Sequence, residues 1–133
     1  TWLPFTPWTQ IQDIKDILIF SAEQGLVSRV PAIQYGLRLL VPPRSLLIKE
    51  LETEGLLGNF NNKKLTYEWS NEETDALQRQ ISELVEAGQR EQHDFGDIFS
   101  DVWALVFGLE TPIPSVKVDV PDFIPGLTEG WFC

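Results

Sequence analysis

His93 is the single histidine of the chain, and any imidazole-based acid–base or metal chemistry would have to start there. It stands among Glu91, Asp94 and Asp97. Imidazole and carboxylates together can hold a divalent cation or move a proton. The spacing matches no established ligand pattern, however, and carboxylates gathered before a helix serve as caps just as well. Cys133 is the only thiol and the last residue. A terminal thiol is hard to supply with a positioned base, so nucleophilic catalysis is not expected from it. It allows no internal disulfide and no cysteine metal site, leaving a bystander or a bridge between two chains. No serine occupies a Gly-x-Ser-x-Gly elbow. The glycines are isolated and mostly close elements, so no phosphate-cradling loop is present. Twenty carboxylates permit a paired-carboxylate hydrolase without pointing to one. The expectation is a protein with no catalytic residues, no cofactor and no metal.

Length and charge narrow the classes further. At 133 residues the chain suits one domain, long enough to hide roughly two-thirds of its unfolded surface. Hydrophobic content of 43% and charged content of 23% are those of a globular chain. No apolar run approaches the ~18 residues of a spanning helix, so no membrane is expected as partner. No basic-then-apolar leader is visible either, which is consistent with intracellular synthesis. The first residue is Thr1, from which a processed or trimmed N-terminus is expected. Net charge is −10, placed unevenly. Residues 1–67 carry six acids against seven bases, whereas residues 68–133 carry fourteen acids against Arg79, Arg90 and Lys117. That half should repel phosphate backbones, which argues against a nucleic-acid partner. The acids can solvate helix faces or dock a basic protein. No convergent set of polar groups argues for a small-molecule ligand.

The elements that must position these residues can be read from periodicity. Ile11, Ile14, Leu18 and Ala22 fall on one helical face, with Thr6 or Thr9 as N-cap, Pro7 at a first helical position and Gly25 as the stop. Over 33–41 apolar and polar residues alternate, which suits a strand, while Ile33, Leu37 and Leu40 also fit a helix; Gly36, poor in a helix interior, favours the strand, and Pro42-Pro43 ends the element either way. A short helix is expected from about Arg44 to Glu54, with Leu47, Ile48 and Leu51 inward. Residues 58–64 are turn-rich, and 65–69 predict a second strand with Leu65, Tyr67 and Trp69 on one face. Ser70 and Glu73 have capping-box spacing before a helix whose face is Leu77, Ile81, Leu84 and Val85. A last helix opens at Asp94 and carries the widest apolar stripe: Phe95, Ile98, Phe99, Val102, Trp103 and Val106. The fold class expected is α+β and helix-rich: three or four helices, a small sheet or hairpin from 33–41 and 65–69, and extended arms at both ends.

Residues 45–70, Ser-Leu-Leu-Ile-Lys-Glu-Leu through Thr-Tyr-Glu-Trp-Ser, resemble the recognition helix, wing and following strand of winged-helix proteins. The helix would be 45–54 and the wing 59–64. The resemblance implies a regulator that binds DNA or a protein partner. The would-be reading helix carries Glu50, Glu52 and Glu54 against Arg44 and Lys49, a composition suited to protein contacts rather than phosphates.

The ends remain. Residues 1–8 hold Trp2, Phe5 and Trp8 with two prolines, and residues 111–133 hold four prolines with Val116, Val118, Val120, Phe123, Ile124, Trp131 and Phe132. Chain ends are usually polar and frayed. Aromatic, proline-stiffened ends should instead lie on a surface, either the chain's own body or a neighbour's. The domain reading is an N-terminal arm over 1–8, a globular body over 9–110 and a C-terminal arm over 111–133. The functional expectation is a non-enzymatic structural or adaptor subunit whose arms engage other protein subunits, like or unlike. A virus-particle component, such as a tailed-phage head, neck or tail subunit, is one setting for that design. A winged-helix regulator is the alternative, and a carboxylate-based enzyme the third.

Overall fold

The computed structural model describes residues 1–118. Its order is α1 (Ile11–Glu23), a 3-10 helix (Ala32–Gly36), α2 (Leu47–Thr53), β1 (Leu57–Asn61), β2 (Thr66–Trp69), α3 (Asp75–Arg90) and α4 (Phe95–Phe107). The two strands form an antiparallel hairpin, so the class is α+β and helix-rich.

The stripe on α4 organises the core. Ile98, Phe99, Val102 and Trp103 are buried. Phe99 meets Tyr35 edge-on at 5.4 Å, and Trp103 stacks on Phe107 at 4.0 Å. α3 presents Ile81 and Val85 to the same core. Gly88 lets α4 approach closely: a Cβ there would lie 2.7 Å from Ile98 Cγ1. α1 contributes Ile14, Leu18 and Ala22.

Three local expectations are corrected. The 33–41 stretch is not a strand. Residues 32–36 wind into a 3-10 helix because Gly36 packs against Ser82 of α3 and its carbonyl accepts from Gln78 Nε2 at 3.0 Å. Only single bridges follow, Arg38 with Phe5 and Val41 with Tyr67. Conversely, the supposed turn at 58–64 is largely strand. Phe60 and Tyr67 pair ring to ring at 5.1 Å, and Asn61 aligns with Thr66. Leu65 lies in the turn rather than in the strand.

The capping box at Ser70 and Glu73 does not form: α3 starts later, at Asp75, and the two groups of Glu73 that the box needs are engaged elsewhere. The Glu73 carboxylate accepts from the Ile11 amide of α1 at 3.1 Å, satisfying one of the orphan donors of that helix start. Asn71 Oδ1 accepts from Glu73 N at 3.2 Å, and Asp75 Oδ2 accepts from Asn71 N at 3.0 Å. α1 is capped at Gln10 rather than at Thr6 or Thr9, with Gln10 N donating to Asp13 Oδ2 at 2.8 Å. Asp94 does cap α4, accepting from Asp97 N at 2.8 Å.

Residues 1–8 are extended and lie on the chain's own body. Phe5 is fully buried in the core, and both its backbone groups pair with the 37–39 segment: Phe5 N donates to the Leu37 carbonyl at 3.2 Å and Leu39 N to the Phe5 carbonyl at 2.8 Å. Asn71 Nδ2 donates to the carbonyls of Thr6, Pro7 and Thr9, the last at 2.8 Å. Burying a Phe side chain is worth ~1.5–3 kcal/mol, one of several contributions that offset the ordering entropy of the segment, beside its backbone pairing and the Asn71 hydrogen bonds.

Candidate protein-docking surface

Both ends of the described chain converge on the last turn of α1. From the N-terminal side, Trp2 sets its ring edge-on to Phe20 at 5.8 Å and 87°, and its amide donates to Gln34 Oε1 at 2.9 Å. From the C-terminal side, Lys117 N donates to the Glu23 carbonyl at 2.8 Å, and Lys117 Nζ pairs with the Glu23 carboxylate. A helix leaves its final carbonyls without intrahelical donors. The Leu26 amide takes the Ser21 carbonyl at 2.9 Å, and Lys117 supplies the donor for Glu23. Its ammonium also offsets a carboxylate at the negative end of the helix dipole.

The route from α4 to Glu23 is equally defined. Gly108 turns the chain at φ 88°, a conformation that suits glycine. Trp103 Nε1 donates to the Thr111 carbonyl at 2.9 Å and Thr111 Oγ1 to the Phe107 carbonyl at 3.1 Å. Lys15 places its ammonium 5.8 Å from the Phe107 ring, so the segment starts beside the first half of α1 and ends at its last turn. Pro112 and Pro114 stiffen the path. Along it Leu109 is 93%, Val116 54% and Val118 41% exposed, with Ile113 less so. Leu3 and Phe20 are exposed on the neighbouring surface.

The sequence-derived interface residues therefore divide. Val116 and Val118 are on the surface, either side of the anchored Lys117. Phe5 is a core residue, and Trp2 is half-buried against the core. Trp8 is exposed, and its Nε1 donates to Glu54 Oε2 at 2.6 Å, at the end of α2. Val120, Phe123, Ile124, Trp131 and Phe132 lie outside the described residues. Lys117 as an anchor was missed by sequence reasoning: nothing in the chain pairs positions 23 and 117 by pattern.

The residues considered for chemistry do not assemble into one site. His93 Nε2 lies 3.2 Å from Glu91 on an exposed turn, while Asp94 is committed to the α4 cap. Among the described residues no group of three or more His, Cys, Asp or Glu side chains converges to hold a metal ion. A shallow depression of about 340 Å³ is lined by Leu46, Lys49, Glu50, Thr53 and Glu54. Inside the body, burial pushes the Tyr35 phenol above its ordinary range, partly offset by the Ser21 hydroxyl and the Trp2 indole beside it. No protein-family model, no curated protein and no solved structure matches the chain.

Proposed function

We propose that the chain is a non-enzymatic subunit or adaptor of a larger protein assembly, joined to its neighbours through the C-terminal segment that begins at Leu109. One observation carries this reading. A backbone pinned at Thr111 and at Lys117 displays Val116 and Val118 to solvent. Apolar side chains on an anchored, proline-stiffened segment lose little conformational entropy when a partner covers them, which favours association. They also form the type of exposed apolar surface that marks a contact site. The N-terminal segment packs on the body instead, with Trp2 against Phe20 of α1 and Phe5 in the core.

The test is native mass. The chain should run in a complex well above its own 15.2 kDa in a gentle extract of the cells that make it. A Val116→Asp/Val118→Asp chain should leave the complex while melting, once purified, at the wild-type temperature. Elution of the wild-type chain as a free monomer from that extract would overturn the reading.

A further inference from the structure

Two adjoining turns at the hairpin end are built against local preference. Ser45 N donates to the Pro42 carbonyl at 3.0 Å, closing a turn with Pro43 second and Arg44 third; Arg44 has φ 75°. That third position favours glycine or asparagine when φ is positive. In the hairpin loop, Asn61 Oδ1 accepts from Lys63 N and Lys64 N at 3.0 and 3.1 Å, and Leu65 follows with φ 53°, again where glycine or asparagine is preferred. The turns are neighbours, because Val41 N donates to Thr66 Oγ1 at 2.7 Å and Tyr67 N to the Val41 carbonyl at 2.8 Å.

What these turns display is apolar and basic. Leu65 is 65% exposed and Leu46, directly after the first turn, 96% exposed. Arg44, Lys63 and Lys64 surround them in sequence, and none of the three forms an ion pair among the described residues. The nearby Glu68 carboxylate is engaged by Asn61 Nδ2 at 3.0 Å. Within a chain of net charge −10, Arg44, Lys63 and Lys64 make these two turns basic, while Lys49, Glu50 and Glu54 stand beside Leu46.

We infer that this end receives the C-terminal segment of a second copy of the chain, so that subunits join head to tail. The inference rests on the proposed role of that segment and names its partner. Three observations select the occupant. The segment offers exposed Leu109, Val116 and Val118 as apolar counterparts. Beyond Val118 the sequence has Asp119, Asp122 and Glu129 with no Lys or Arg, the charge that complements Arg44, Lys63 and Lys64. The residues after Val118 can span up to ~50 Å when extended, enough to cross to a neighbour. The tail departs from the last turn of α1, which packs on α4, whereas the hairpin packs on α2. A head-to-tail contact of this kind is heterologous and builds a ring or a filament.

Full-length chains test it by sedimentation velocity and light scattering. Wild-type mass should rise with concentration. A head variant, Arg44→Gly/Leu65→Asn, places favoured residues at both positive-φ sites. It should melt no lower than wild type yet associate at least about tenfold more weakly. The tail variant Val116→Asp/Val118→Asp should be monomeric. Mixed together, the two variants should give a one-to-one dimer that grows no further, since one intact head and one intact tail remain. A wild-type chain that stays monomeric, a mixture that stays monomeric, or a head variant that associates like wild type would each overturn the inference. So would tighter binding of duplex DNA or anionic vesicles than of a second copy. A purified monomer combined with a large complex in extract would sink this inference alone and leave the subunit reading standing with a different partner.

Discussion

Gly88→Ala is a perturbation whose sign the structure decides. Near the C-terminal end of α3 the substitution should help: alanine exceeds glycine in helix propensity by ~0.8–1 kcal/mol. Against that, the new Cβ would lie 2.7 Å from Ile98 Cγ1 and 3.0 Å from its Cδ1, whereas carbon atoms rest at about 3.5–4.0 Å. Ile98 is buried on α4 beside Phe99 and Val102, so the offending atom is not a free chain end. The helices must separate by most of an ångström or Ile98 must leave its rotamer. Overpacking of this kind costs ~1–3 kcal/mol. The net expectation is a loss of about 1 kcal/mol, read as a melting temperature roughly 4 °C lower for a chain of this size. Ile98→Ala removes both contacting atoms. In that background Gly88→Ala should therefore stabilise, giving a coupling of about 1–3 kcal/mol in the double-mutant cycle. Thermal melts of the four proteins measure it. A Gly88→Ala chain that melts higher than wild type would refute the close-approach argument.

Two further outcomes follow from the same contacts. Phe5→Ala should cost about 3–5 kcal/mol, as for a core phenylalanine, measurable as a lower denaturant midpoint, whereas an arm residue would leave it unchanged. The pH response should carry a Tyr35 signature. Its folded pKa is raised by burial, so the folded state keeps the proton that the unfolded chain releases at high pH. The corresponding stability is intact below the unfolded phenol's range and falls as pH rises above it. Denaturant midpoints of wild type and Tyr35→Phe across that alkaline window should show the extra loss only in the wild type.

Helix periods and their stops were legible because they depend on neighbours three or four residues apart. α1, α3 and α4 follow from Ile14 and Leu18, from Ile81 and Val85, and from the stripe around Phe99; the Asp94 cap is equally local. So was the composition of the two ends, which set the chain looking for a surface. Tertiary structure decided the rest, through partners distant in sequence. Phe5 became core because residues 37–39 offered both an acceptor and a donor to its backbone. The alternation over 33–41 lost to a 3-10 helix because Gly36 could seat against Ser82. Glu73 left its own helix to satisfy Ile11, and Asn71 turned to the N-terminal carbonyls. Lys117 found Glu23 at the far end of another helix. Hydrophobic patterning states which side chains seek burial, but it carries no record of which distant carbonyl or ring will meet them. That choice is made when the whole chain closes its hydrogen bonds and fills its core at once.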